Sequence, residues 1–297
     1  PTGKTIDEIK TESSAKVVAV ASVDGMYYET LAQAFTVALA SDGAVIDIIK
    51  DIDFAGEYWL PVSNTKTLTI NGNGHVISNV NINGYQRETS GDWNEGIGTG
   101  SQATYKCAFF GGNSGTLTIK DLVFSNINVD MAVDKSTNSQ GSSQIAVVVG
   151  YNSGTIMFNN VEVADSTIKG YTKVAVLVGH TAGSNGKVTI DHCTLTRNRV
   201  VLEADGVDPD AALSAVIIGY VDGSTITTNG IKLVGNENVI DSSVKWTGYE
   251  RKTTNGTMYV VFASRTYFLT CPTFVRGDYP SATAQFEQGA DGYYYEK

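Results

Sequence analysis

Residues that could perform glycoside hydrolysis recur at two adjacent positions of three similar segments. The first position carries a base, an amide and an acid, namely Lys120, Asn159 and Asp191. The second position carries an acid, an amide and an imidazole, namely Asp121, Asn160 and His192. Hydrolysis needs two carboxylates about 5 to 9.5 Å apart, and stacked strands lie about 4.8 Å apart. Because no column of carboxylates appears, the pattern favours a surface role over a hydrolase site.

The long irregular stretch 83–105 is the best candidate for ligand binding. Aromatic and charged side chains stand there among glycines and serines: Tyr85, Arg87, Glu88, Asp92, Trp93 and Glu95. Aromatic rings stack on the apolar face of a sugar while polar neighbours bond its hydroxyls. We therefore expect a glycan or protein ligand to contact Tyr85, Arg87, Asp92, Trp93 and Glu95. The alternative is that Trp93 folds back onto the helix flank and pins the loop.

Three aspartates, Asp205, Asp208 and Asp210, could supply oxygen ligands to calcium. They lack the twelve-residue loop with a closing glutamate that marks a dedicated calcium site. A solvated acidic loop is the favoured alternative. Calcium is therefore the only cofactor for which the sequence offers ligands, and no other cofactor is predicted.

The remaining reactive side chains favour structural roles. Arg197 and Arg199 alternate along one predicted strand, where they would either contact an anionic sugar or form ordinary surface charge, which is favoured. His75 and His180 adjoin glycine turns and are predicted to be turn or surface residues. The three cysteines show neither CxxC spacing nor a disulfide framework. Cys193 aligns with apolar core positions, which predicts a buried thiol.

These residues must be positioned by a repeat that occurs four times. Each copy has a small residue, a run of bulky apolar residues and a glycine: 108–111, 146–150, 175–179 and 215–219. The four glycines are 39, 29 and 40 residues apart, which indicates a solenoid or an array. The unequal intervals predict insertions at 130–143 and 203–213 that emerge from one side of the repeats.

The fold predicted from this pattern is all-β, a right-handed parallel β-helix with a short N-terminal capping helix. A β-propeller is disfavoured because its blades run about 40 to 50 residues. Thr30 and Gln33 fit a capping box, and an apolar stripe follows at Leu31, Ala34, Phe35, Ala38 and Leu39. In the run after the turn 71–74, we expect Val76, Val80 and Ile82 to share one inward face.

The predicted organisation is a single solenoid domain with two end regions. Residues 1–43 form an entry strand and the capping helix, and 44–243 form the β-helix repeats. Residues 244–297 form C-terminal strands or a cap of the same domain.

The order of segments resembles bacterial cell-surface, adhesin-like β-helix proteins with GLUG-type repeats. The opening is similar at 27–38, 46–51, 58–62 and 68–82, and the repeat units at 146–156 are similar to the repeats that follow it. This resemblance covers roughly residues 17 to 235 and implies an exported protein of the bacterial cell surface. The family offers no catalytic motif to carry over.

Composition limits the partners further. The net charge is −10 and the isoelectric point is about 4.8, so nucleic acid and anionic membranes are disfavoured. No apolar run reaches the length of a membrane span. The repeat scaffold, the missing catalytic constellation and the resemblance to adhesin-like proteins together predict a non-enzymatic surface-binding or adhesion module. A polysaccharide lyase or glycoside hydrolase and a structural spacer of a larger surface protein remain the alternatives.

Overall fold

The computed structural model describes residues 3, 19–83, 85–86, 93–94, 104–131, 142–170, 172–202, 214–240, 258–260, 274–276, 286–288 and 294–296. The N-terminal elements are β1 (Ala21–Val23), β2 (Met26–Tyr28) and α1 (Leu31–Ala38). The first two coils contain β3 (Ala44–Ile48), β4 (Ile52–Asp53), β5 (Val62–Asn64), β6 (Thr67–Asn71), β7 (Val76–Ser78) and β8 (Asn81–Ile82). Two short strands, β9 (Tyr85–Gln86) and β10 (Trp93–Asn94), then form an antiparallel pair.

The repeats supply the next strands in the same order. They are β11 (Thr104–Cys107), β12 (Phe110–Asn113), β13 (Thr116–Lys120), β14 (Val123–Ser125), β15 (Asn128–Asp130), β16 (Ser142–Ile145), β17 (Val149–Asn152), β18 (Thr155–Asn159), β19 (Glu162–Ala164) and β20 (Thr167–Gly170). They continue with β21 (Val178–Ala182), β22 (Lys187–Asp191), β23 (Thr194–Thr196), β24 (Arg199–Leu202), β25 (Val221–Asp222), β26 (Thr225–Asn229), β27 (Lys232–Val234) and β28 (Glu237–Ile240). The last described strands are β29 (Met258–Val260), β30 (Phe274–Arg276), β31 (Phe286–Gln288) and β32 (Tyr294–Glu296).

In the described residues, strands of successive coils stack in parallel and form four long sheets, and β11 and β16 form a shorter parallel pair. Sheet 1 is β5-β12-β17-β21-β25, and sheet 2 runs from β3 through β6, β13, β18 and β22 to β26. Sheet 3 runs from β4 through β7, β14, β19 and β23 to β27, and sheet 4 is β8-β15-β20-β24-β28. This arrangement is a parallel β-solenoid, which confirms the predicted β-helix.

Inward-facing residues of each coil stack on their equivalents in the next. Ile119 pairs with Phe158, which pairs with Ile190, and all three are fully buried. Cys193 lies in the core beside them, as predicted, and burial raises the pKa of its thiol to about 11. Each apolar side chain thus fills the interior between coils, where its burial contributes about 1.5–3 kcal/mol.

The corner between sheets 3 and 4 contains one residue in the left-handed region. Asn79 has φ of 56°, so the alternation of inward and outward side chains shifts at this residue. Ile77 is therefore the buried residue of β7, while Val80 and Ile82 are buried beyond the corner. The expectation that Val76 shares their inward face is wrong, because a strict period of two does not cross the turn.

A second ladder of buried residues is polar. Asn64 Nδ2 donates to Asn113 Oδ1 at 2.8 Å, and Asn113 Nδ2 donates to Asn152 Oδ1 at 2.8 Å. The ladder continues from Asn152 Nδ2 to Thr181 Oγ1 at 3.0 Å. Because each amide is satisfied by the coils above and below, this column fixes the register between coils.

Packing requires the glycines that end three of the apolar runs, Gly150, Gly179 and Gly219. A Cβ atom at Gly179 would lie 2.7 Å from the carbonyl oxygen of Gly150 and even closer to the backbone nitrogen of Ile145. Gly179 lies within β21, and its backbone packs directly against the backbone of the preceding coil. A side chain at this position would therefore separate the coils.

Helix α1 covers the N-terminal end of the core. Thr30 Oγ1 accepts from the backbone N–H of Gln33, and the Gln33 side chain accepts from that of Thr30, so the predicted capping box is confirmed. Phe35 is buried and meets the rings of Trp59 and Phe110, each at 5.5 Å between centroids. The helix thus covers apolar surface that the first coil would otherwise expose.

The C-terminal strands β31 and β32 pair in antiparallel orientation. Strand β32 also pairs with β27, through Leu233 and Tyr294. Residues 286–288 and 294–296 therefore extend sheet 3.

Candidate functional site

All long insertions leave the solenoid at one corner, as the sequence predicts. Each begins after a strand of sheet 4 and ends just before the apolar run that leads into sheet 1. They span 84–103, 132–141 and 203–213, between β8 and β11, β15 and β16, and β24 and Ser214. The described residues that flank these insertions therefore lie beside one edge of sheet 1.

Two columns of side chains face each other beside this corner, and we call them together the tyrosine–histidine strip. One column lies on sheet 1, and the other on β11, β16 and the segment before Val174. The column on sheet 1 consists of Tyr151, His180 and Tyr220. The facing column consists of Lys106, Gln144 and Lys173. Each member of the second column contacts the member of the first that lies one coil further along.

The contacts repeat this diagonal arrangement three times. Lys106 Nζ lies 4.8 Å from the centroid of the Tyr151 ring. Gln144 Nε2 lies 3.2 Å from His180 Nδ1, and Lys173 Nζ lies 5.5 Å from the centroid of the Tyr220 ring. Cation–π and amide contacts thus hold these side chains in fixed positions.

His180 is the buried centre of the strip, with 7% of its surface exposed. Its ring lies between Tyr151 at 5.2 Å and Tyr220 at 4.9 Å between centroids. Its prediction as a turn or surface residue is therefore wrong, because the stacked neighbours of sheet 1 enclose it. Burial, and then the charges of Lys173 and Lys106, lower the pKa of the imidazole to about 3. The ring is neutral at physiological pH and lies in a positive local field.

Two polar atoms in the strip are buried and have no hydrogen-bond partner among the described residues. They are Nε2 of His180 and Oε1 of Gln144. Leaving such a group unsatisfied costs about 1–3 kcal/mol. Local arrangements that carry this cost are expected chiefly at functional sites.

Asp191 and Asp121, the two carboxylates of the hydrolase pattern, accept hydrogen bonds from neighbouring coils. Asp191 Oδ2 accepts from Asn159 at 2.9 Å, and Asp191 Oδ1 accepts from Asn229 at 2.7 Å and contacts His192 Nδ1 at 2.7 Å. Asp121 Oδ1 accepts from Asn160 at 2.7 Å. The predicted register of this column is confirmed, and its bonds link neighbouring coils.

The predicted loop site is described only in part. Strands β9 and β10 bring the backbones of Tyr85 and Trp93 into one antiparallel pair, and β9 lies beside β11, which carries Lys106. Arg87, Asp92 and Glu95 lie outside the described residues. The loop site and its alternative, in which Trp93 packs on the helix flank, stay predictions.

The predicted calcium ligands, Asp205, Asp208 and Asp210, also lie outside the described residues. Within the part of the chain that the structure describes, no group of three His, Cys, Asp or Glu side chains could hold a metal ion.

The arginines do not alternate along one strand. Arg197 lies in a turn with φ of 51° and donates from Nε and Nη2 to the two carboxylate oxygens of Asp165, each at 2.6 Å. Arg199 begins β24 and is exposed. The expectation that both arginines lie on one strand is therefore wrong, because a left-handed corner at Arg197 precedes β24, but both side chains are exposed as expected.

The residues that flank each repeat carry a sequence signal for the strip. Tyr151, His180 and Tyr220 each follow the glycine of a repeat. The members of the other column each stand two residues before the small residue that opens a repeat: Lys106, Gln144 and Lys173. Side chains at equivalent positions of a solenoid stack, so these residues belong to two facing columns.

Comparisons with family models, curated proteins and solved structures find no match. Among the described residues, no helix has the length and apolar character needed to span a bilayer.

Proposed function

We propose that this protein is a non-enzymatic binding module of the bacterial cell surface that holds an acidic glycan along the tyrosine–histidine strip. The observation that carries the proposal is the strip itself, at the corner from which the insertions emerge. Half-buried tyrosine rings offer apolar faces to a sugar, and two lysines provide positive charge on a protein whose net charge is −10. The resemblance to adhesin-like surface proteins supports the location.

The geometry favours a ligand that runs along the solenoid axis. Tyr151 and Tyr220 lie two coils apart, which is about 10 Å for stacked strands. Lys106 and Lys173 have the same separation, so one chain of linked sugars could contact both pairs. Carboxylate or sulfate groups would meet the lysine ammonium groups, since charge-assisted hydrogen bonds are stronger than neutral ones.

The experiment is an array of immobilised glycans, probed with the purified protein. The array should include polygalacturonate, alginate, heparin and chondroitin sulfate, with neutral xylan as a reference. We expect selective binding to acidic glycans that weakens for Tyr151→Ala and for Lys106→Gln. The matched control is Met157→Ala, which removes an exposed apolar side chain from sheet 2.

Calcium and chelator should be compared on the same array. Binding that is lost only with chelator would move the site to Asp205, Asp208 and Asp210. Release of reducing ends or unsaturated sugars from the same polysaccharides would show an enzyme instead. A blank array would overturn the glycan proposal and favour a protein ligand or a spacer role.

A further inference from the structure

A second surface lies at the N-terminal end of the solenoid, far along the chain from the strip. A cleft of about 770 Å³ separates α1 from residues 52–62 of the first coil. Its walls are largely apolar and include Leu31, Phe35, Leu39, Phe54, Trp59 and Leu60. The volume lies within the range of about 300–1,000 Å³ that is usual for ligand sites.

One wall of the cleft is an open strand edge. Trp59 N–H donates to the Asn81 carbonyl oxygen at 2.9 Å, and Asn81 N–H donates to the Glu57 carbonyl oxygen at 3.0 Å. This parallel bridge pairs Tyr58 with Asn81. In a parallel ladder, the residue between two such bonds directs its own N–H and C=O to the opposite side. The backbone groups of Tyr58 therefore point away from the second coil.

The neighbouring residues extend this edge. Strand β4 is the terminal strand of sheet 3. The backbones of Tyr58 and Leu60 have no partner on the outer side among the described residues. Their side chains are also exposed, at 63% and 48%. An exposed apolar edge of this kind is a template for pairing with another strand.

The charge of the cleft selects its partner. Asp53 and Glu57 contribute carboxylates to the lining, and none of the described residues of the lining is a lysine or an arginine. The pKa of Asp53 lies below its usual value, because Asn79 and the backbone of Ala55 donate hydrogen bonds to it. The carboxylate is therefore charged at neutral pH and favours a cationic ligand.

We propose that this cleft docks an extended, basic peptide segment of a partner protein. The segment pairs with the edge at Tyr58–Leu60 and adds one strand ahead of the first coil, as in β-strand addition. Its apolar side chains contact Leu39, Phe54 and Leu60, and its lysine or arginine side chains face Glu57 and Asp53. The proposal is independent of the glycan site.

The test uses fluorescence polarisation with the complete chain and three synthetic heptapeptides. In the first, lysine or arginine alternates with valine, isoleucine and phenylalanine. The second carries glutamate in place of each basic residue, and the third is the basic peptide with alternate backbone amides N-methylated. We expect saturable binding of the basic peptide, binding weaker by at least about tenfold for the acidic one, and none for the methylated one.

Variants of the protein locate the binding. Leu60→Arg should weaken the basic peptide at least about tenfold. Met157→Arg, which changes an apolar residue of similar exposure on sheet 2, should leave it unchanged. Hydrogen exchange should slow at the amides of Tyr58 and Leu60 when the basic peptide binds.

Four results would overturn the proposal. The first is that the basic peptide shows no saturable binding, and the second is that the acidic and basic peptides bind equally. The third is that the N-methylated peptide still binds, and the fourth is that Leu60→Arg leaves binding of the basic peptide intact. Concentration-dependent dimerisation that Leu60→Arg abolishes would instead identify a second copy as the occupant. Since glycan binding does not involve this cleft, Leu60→Arg should keep full glycan binding, so the two proposals fail separately.

Discussion

Acidification should destabilise the protein through His180. The pKa of its imidazole is about 3 in the folded chain, against about 6.5 in the unfolded chain. The unfolded state therefore binds a proton first as the pH falls. The stabilising contribution is complete above pH 6.5 and is lost progressively between pH 6.5 and 3. At pH 5 the loss amounts to about 2 kcal/mol, since one pKa unit corresponds to about 1.4 kcal/mol.

The cause is the surroundings of the ring. Burial is the largest contribution, followed by repulsion from Lys173 and Lys106. Among the described residues, the ring also contacts Gln144, Tyr151 and Tyr220, none of which carries a carboxylate. A proton on the imidazole would therefore enter a site with positive charges beside it.

The assay is urea unfolding of the wild type and of His180→Gln at pH 7 and at pH 5. Other titrating groups contribute to both proteins, so the difference between the two pH-dependent losses isolates His180. We expect the wild type to lose about 2 kcal/mol more than the variant over this interval. Equal losses would refute the reasoning, as would an NMR titration in which the folded His180 ring gains its proton near pH 6.5.

Three further predictions concern the scaffold. Asn113→Ala should lower the free energy of unfolding by about 1–3 kcal/mol, because it leaves buried amide partners unsatisfied. Asn128, which is exposed and donates to Asn81, is the matched control. In urea titrations Asn128→Ala should lower the free energy of unfolding by less than about 0.5 kcal/mol. Gly179→Ala should destabilise by about 1–3 kcal/mol or more through backbone overlap, whereas Gly112→Ala, whose Cβ would meet only side-chain atoms at 3.5 Å or more, should melt within a few degrees of the wild type. The thiol of Cys193 should react with a disulfide reagent only after unfolding, because burial raises its pKa to about 11, and rapid labelling of the folded chain would contradict its core position.

The scaffold could be predicted because solenoid repeats carry their register in the sequence. The run that contains Ile119 aligns with the runs that contain Phe158 and Ile190, and the three stack in the structure. The capping box of Thr30 and Gln33 is equally local, since it joins side chains to backbone groups three residues away. Features set within one segment, or by repetition, are therefore accessible without a structure.

Other features depend on contacts between coils or on turn conformation. Because Asn79 forms a left-handed corner, Ile77 and not Val76 is the buried residue of β7. The spacing of apolar residues along one strand does not predict this corner. His180 was predicted at the surface because it follows a glycine, but its neighbours in space are Tyr151 and Tyr220 on adjacent coils. The strip becomes visible only when the repeats are aligned on their glycines and the flanking residues are compared between coils.

The most direct test of the central claim is the affinity of an acidic glycan, selected on the array, for the wild type and two variants. If the tyrosine–histidine strip is the site, Tyr151→Ala should weaken binding by about tenfold, and Met157→Ala should bind like the wild type. Equal affinity for the wild type and Tyr151→Ala would contradict the strip as the binding surface.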